Sequence, residues 1–146
     1  MTMYLFIIPI VVGTITQLSK RLFNPDWRST VHVYGHALPR YGGMPSTHTS
    51  FAFSLATTTF LADGATSTSF AIAVALAIFI LDDALRMRVY VGRHGQALRH
   101  LIETLAPERR KEFPDLEQRL GHSLPEVIAG AIVGVALTVL FYTFIG

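Results

Sequence analysis

All twelve Lys and Arg residues fall in two intervals of this chain, and four apolar runs lie around those intervals. Lys20, Arg21, Arg28 and Arg40 separate the first run (3–18) from the second (46–62). Arg86, Arg88, Arg93, Arg99, Arg109, Arg110, Lys111 and Arg119 separate the third (66–81) from the fourth (124–145). The turn between the second and third runs, marked by Asp63-Gly64, has no basic residue. A helix needs about 20 apolar residues to cross a full bilayer. The fourth run, whose one charge is Glu126, meets that length. The first three, at about 16–17 residues, require a thinned bilayer or snorkelling ends. A soluble bundle is the alternative, but the three strongest runs have no charged face. Charged residues make up 15% of the chain and apolar ones 51%, whereas soluble domains carry about 25% charge.

These features predict an all-α integral membrane protein, a single domain over residues 1–146 with about four transmembrane helices in a bundle. Four spans put both basic intervals on one side, which the positive-inside rule makes cytoplasmic, with both termini outside. The first run lacks a basic start and a small-residue cleavage site, so it reads as a retained span. Within 94–112, Ala97, Leu98, Leu101, Ile102 and Leu105 recur at helical spacing, with Arg99, His100 and Glu103 between them. That pattern predicts an amphipathic helix in the cytoplasmic interface, broken by Pro107 and Pro114. There is no cysteine, which excludes disulfides, thiolate metal sites and thiol nucleophiles. No metal-ligand set or cofactor motif is visible, so neither is expected. So apolar a chain is not expected to bind nucleic acid. Membrane lipids are its expected surroundings, and the plasma membrane its expected location.

Polar groups at membrane depth are costly and mark function. Three polar clusters sit where runs meet the same rim. Gly42-Gly43-Met44-Pro45-Ser46-Thr47-His48 opens the second run; Ser46 or Thr47 would cap a helix there, whose N-terminus suits an anion. Asp82-Asp83-Ala84-Leu85-Arg86-Met87-Arg88 closes the third. Arg86 and Arg88 could face an anion in two-point fashion or serve as membrane anchors; Asp82 and Asp83 could pair with them or hold a divalent ion. His122-Ser123-Leu124-Pro125-Glu126 opens the fourth. Four apart on one helix face, His122 and Glu126 can touch, leaving one ring nitrogen free to attack. Ser123 and Glu126 also form a capping box.

The stretch Gly42 to His48 resembles the Pro-Ser-x-His motif of the type 2 phosphatidic acid phosphatase superfamily, which includes the vanadium haloperoxidases. His122-x-x-x-Glu126-Val127-Ile128-Ala129-Gly130 resembles its final motif. The order, the short length and Asp83-Ala84 ahead of Arg88 resemble a small divergent branch of acid phosphatase-related membrane proteins. The resemblance implies phosphomonoester hydrolysis without metal, through a phosphohistidine. His122 would be the nucleophile, Glu126 its orienting acid and His48 the general acid. Ser46, Thr47 and Arg88, with Arg86 second to it, would hold the phosphate. The superfamily has glycine at Thr47, aspartate at Glu126 and arginine at Leu116. Its first motif, a lysine seven residues before Arg-Pro, is absent, and Lys20, Arg21 or Arg28 would stand in for it.

A lipid phosphate is therefore the expected substrate: phosphatidylglycerophosphate, phosphatidic acid or an isoprenyl phosphate. Two alternatives are a non-catalytic protein that binds anionic lipid or assists another membrane protein, and a divalent-ion-dependent lipid transferase using Asp82 and Asp83. Gly130 and Gly134 form a G-x-x-x-G pair, which serves either a homodimer contact or close packing within one chain.

Overall fold

The computed structural model describes residues 6–23, 30–33, 36–39, 43–113 and 122–145. In chain order the elements are α1 (Ile7–Phe23), β1 (Thr30–Val33), β2 (His36–Pro39), α2 (Thr47–Asp63), α3 (Thr68–Asp82), a π-helical turn (Asp83–Met87), α4 (Arg88–Glu103), α5 (Pro107–Arg110) and α6 (Leu124–Ile145). The short antiparallel hairpin, with Val31 opposite Leu38, is a departure from the expected all-α chain. It lies in the basic interval between α1 and α2, where β-branched Thr30, Val31 and Val33 favour extended backbone.

α2 is the central helix, packed against α1, α3 and α6. Its buried face is Thr49, Ser50, Ala52, Ser54 and Thr58. The hydroxyls are satisfied: Thr16 and Ser50 share a bond of 2.8 Å, and Ser54 and Thr138 one of 2.6 Å. Thr58 donates to the Ser54 carbonyl and Thr138 to the Gly134 carbonyl. The large apolar side chains point the other way. Phe79 is 73% exposed and Phe144 81%, and Ile72, Ile78 and Ile132 are also exposed. A soluble bundle buries such residues; small hydroxyl contacts inside and bulky apolar groups outside are the pattern of helices packed within lipid.

Gly130 and Gly134 make that packing close. A Cβ at Gly130 would lie 2.5 Å from the Ser46 carbonyl oxygen, and one at Gly134 would collide with the Ser50 carbonyl. Of the two roles expected for the G-x-x-x-G pair, the close contact within the chain is the one observed.

α1 meets the start of α2, where Thr47 bonds to Gln17. The ends of α2 and α6 meet through the Tyr142 hydroxyl and the Leu61 carbonyl. α2 and α6 therefore run together, antiparallel to α1 and α3, and the end of α1, the start of α2, the π-helical turn and the start of α6 fall at one end of the bundle. Not all four helices have the length and hydropathy of a span. The continuous helix 68–103 and α6 do, while α1 contributes a shorter apolar stretch, Ile7–Lys20. α2, rich in Ser and Thr, does not qualify.

The expected interfacial helix over 94–112 differs in both bounds. α4 begins at Arg88, continues α3 through the π-helical turn and stops at Glu103; α5 then starts with Pro107 at its N-terminal turn. Asp82 and Asp83 do not end the helix, because each is paired along it. Asp82 pairs with Arg86 at 2.9 Å and Asp83 with Arg88 at 2.7 Å.

Candidate active site

α6 begins with an acid serving two groups at once. Glu126 Oε2 lies 3.0 Å from His122 Nδ1 and accepts from the Ser123 amide at 3.1 Å. The acid's half of the capping box and the histidine contact, alternatives in the sequence, share one oxygen. His122 is buried, its side chain 6% exposed against 13% for Glu126. A proton on Nδ1 would point at the carboxylate and leave Nε2 as the ring nitrogen free to act.

Backbone contacts bring the other elements to this turn. The His122 amide donates to the Ala84 carbonyl at 3.3 Å, and the Ser46 amide to the Glu126 carbonyl at 3.0 Å. Ala84, buried, belongs to the π-helical turn, whose wider i→i+5 pitch carries Arg88 over Asp83, five residues earlier. Arg88 Nε bonds to Asp83 Oδ2 at 2.7 Å, which aims the guanidinium and leaves its terminal nitrogens for another acceptor. Arg86 is 72% exposed and pairs with Asp82.

His48 lies in the first turn of α2. Arg88, His122, Lys20 and Asp83 lie within electrostatic reach of it, and Glu126 within that of Lys20. Four separate stretches of chain thus converge on one cluster: Lys20 from α1, His48 from α2, Asp83 and Arg88 from the π-helical turn and α4, and His122, just ahead of α6, with Glu126 in its first turn.

Ser46 and Thr47 differ from the capping role expected of them. Ser46 is the N-cap residue, but its hydroxyl makes no cap bond; it accepts from Thr49 Oγ1 at 2.9 Å in a fully buried position. Thr47 lies inside the helix and donates to Gln17 Oε1 at 2.7 Å. With no side chain of Ser46 over it, the first turn of α2 keeps its amides toward the cluster end, the arrangement that favours an anion. Gly43, at φ +93°, makes the entry to that turn in a region of backbone space that favours glycine. Gln17 was not singled out in the sequence; a lone amide in an apolar run carries no signal until α1 is set beside α2.

Arg21 stands in the last turn of α1, but its side chain lies outside the described residues, as do Arg28, Gly42, Leu116 and Gly121. Among the described residues no group of three or more His, Asp and Glu side chains is placed to hold a metal ion.

No curated protein and no solved structure matches the chain. Residues 1–137 match the family described as Divergent PAP2 family. The match spans every element that supplies the cluster, so the chain belongs to the divergent PAP2 family and is a phosphatase-related membrane protein.

Proposed function

We propose that this protein hydrolyses the phosphomonoester of a membrane lipid through a phosphohistidine. The observation that carries the proposal is the buried His122–Glu126 pair at 3.0 Å, set in a cluster with a second histidine, an arginine and a lysine. Glu126 holds the Nδ1 proton and stabilises the charge that His122 acquires. Nε2 attacks phosphorus; the bond from phosphorus to the lipid oxygen breaks, and His48 gives that oxygen a proton. Water then attacks the phosphohistidine, His48 takes a proton from it, the P–N bond breaks, and inorganic phosphate leaves. Arg88, Lys20 and the amides at the start of α2 oppose the charge on the phosphoryl oxygens.

In this proposal all four long helices cross the bilayer, and the site faces the cytoplasm of the plasma membrane. Phosphatidylglycerophosphate, phosphatidic acid and isoprenyl phosphates are the candidate substrates. A divalent-ion transferase is less favoured, since Asp82 and Asp83 are engaged by arginines. The test is phosphate release by detergent-solubilised protein in excess chelator, with and without vanadate, which imitates five-coordinate phosphorus. Release that is blocked by vanadate and absent in His122→Ala is expected. Activity that needs added magnesium would move the chemistry to the aspartates, and lipid binding without release would make the protein an accessory.

A further inference from the structure

A groove of about 420 Å³ runs between α1 and α2. Ile10, Gly13, Leu18 and Phe51 line its length, and Thr47 and His48 close one end. Ile10 and Leu18 are each about half exposed, so the groove opens sideways to the bulky apolar exterior of the bundle and not into its hydroxyl interior. From Gln17, bonded to Thr47 at that end, to Ile10 is about 10 Å along α1 at the helical rise. The floor is set by Gly13, where an added Cβ would touch Phe51 at 3.5 Å.

We infer that this groove holds one apolar chain of a lipid phosphate, acyl or prenyl, with its head at His48; the inference rests on the phosphatase proposal. Two properties support that occupant. Apart from His48 the lining is uncharged, while the charges of Lys20 and Arg88 act on His48 at the groove's end, so apolar body and cationic end complement an amphiphile with an anionic head. The volume is also at the low end of ligand sites, suited to one chain; a second chain would remain in the bilayer. Because lipid tails are already in an apolar medium, the groove gains little from excluding water. Its contribution is orientation: a chain held along α1 aims the phosphate at the histidines.

Two measurements test this. The first compares hydrolysis of dodecyl phosphate with that of a soluble aryl phosphate in Gly13→Leu and Gly13→Ala. A leucine here fills the groove, and misplacing a reacting group by about 1 Å can cost on the order of 100-fold; the ratio of dodecyl to aryl kcat/KM should fall at least about tenfold. Gly13→Ala, whose Cβ reaches only ordinary contact, should give a smaller fall and covers the case in which the leucine variant does not fold. An equal loss on both substrates overturns the inference. The second measurement uses wild-type protein and dodecyl phosphate bearing a diazirine on its chain. Labelling should fall on the segment 10–18 and on Phe51, and unlabelled dodecyl phosphate should suppress it. Unsuppressed labelling, or labelling that favours the exposed Ile78 and Phe79 of α3, overturns it. If the wild type releases no phosphate, the hydrolytic proposal fails while photolabelling still decides the groove. If it turns over with an unmoved ratio, the groove fails alone.

Discussion

Gly130→Ala adds one methyl group where α6 crosses the entry to α2. The new Cβ would stand 2.5 Å from the Ser46 carbonyl oxygen, about 0.9 Å inside ordinary contact, and 3.1 Å from Thr49 Cβ. The obstacle is backbone, so no rotamer change relieves it; the two helices must separate by most of that distance. The Ser46 amide is bonded to the Glu126 carbonyl one turn away, so the separation falls between His48 and the His122–Glu126 pair. Overpacking costs typically about 1–3 kcal/mol, and a catalytic misplacement near 1 Å can cost on the order of 100-fold. We therefore expect a lowered Tm in detergent and a fall in kcat/KM of about 10–100-fold for lipid and soluble phosphates alike. Gly13→Ala is the control for Tm and for the soluble phosphate, which does not use the groove, since its Cβ finds only ordinary contact with Phe51. The assay is phosphate release beside thermal unfolding of both variants. Wild-type turnover and Tm in Gly130→Ala would refute the claim that this crossing sets the geometry of the site.

Three further outcomes are expected. Glu126→Gln keeps an acceptor for the Ser123 amide but loses the carboxylate charge behind His122; kcat should fall about 10²–10⁴-fold with little change in Tm, and unchanged turnover would remove Glu126 from the mechanism. His48→Ala should lose about 10²–10⁴-fold on an alkyl phosphate and much less on an aryl phosphate, whose leaving group needs no proton; equal losses would exclude His48 as the acid. Since the chain has no cysteine, Ala65→Cys and Arg109→Cys are unique labels, and sealed vesicles should be labelled at these two positions from opposite sides; labelling from one side would break the four-span topology.

Charge distribution and residue chemistry were legible along the chain itself. Confining every Lys and Arg to two intervals groups the end of α1 with the start of α2, and the end of α3 with the start of α6; the Thr47–Gln17 bond and the His122–Ala84 bond lie at those two junctions. His122 and Glu126 were readable as a pair from their spacing of four, although α6 starts at Leu124 and leaves His122 ahead of the helix, where the Glu126 carboxylate reaches back to it. Partners across the bundle were not readable. α2 shows no apolar stripe, since its inner face is hydroxyl while Phe60 and Leu61 are exposed, so periodicity could not say which side was buried. The contact of Gly130 and Gly134 with Ser46 and Ser50, the Thr47–Gln17 bond and the freedom of the Ser46 hydroxyl from capping all depend on helices far apart in sequence. So does the role of the Asp-Asp pair, which reads locally as a helix end. Only when the π-helical turn hands the Ala84 carbonyl to the His122 amide do Asp83 and Arg88 come to the histidines, because a helix extends its own hydrogen bonds locally while tertiary packing chooses where one is lent away.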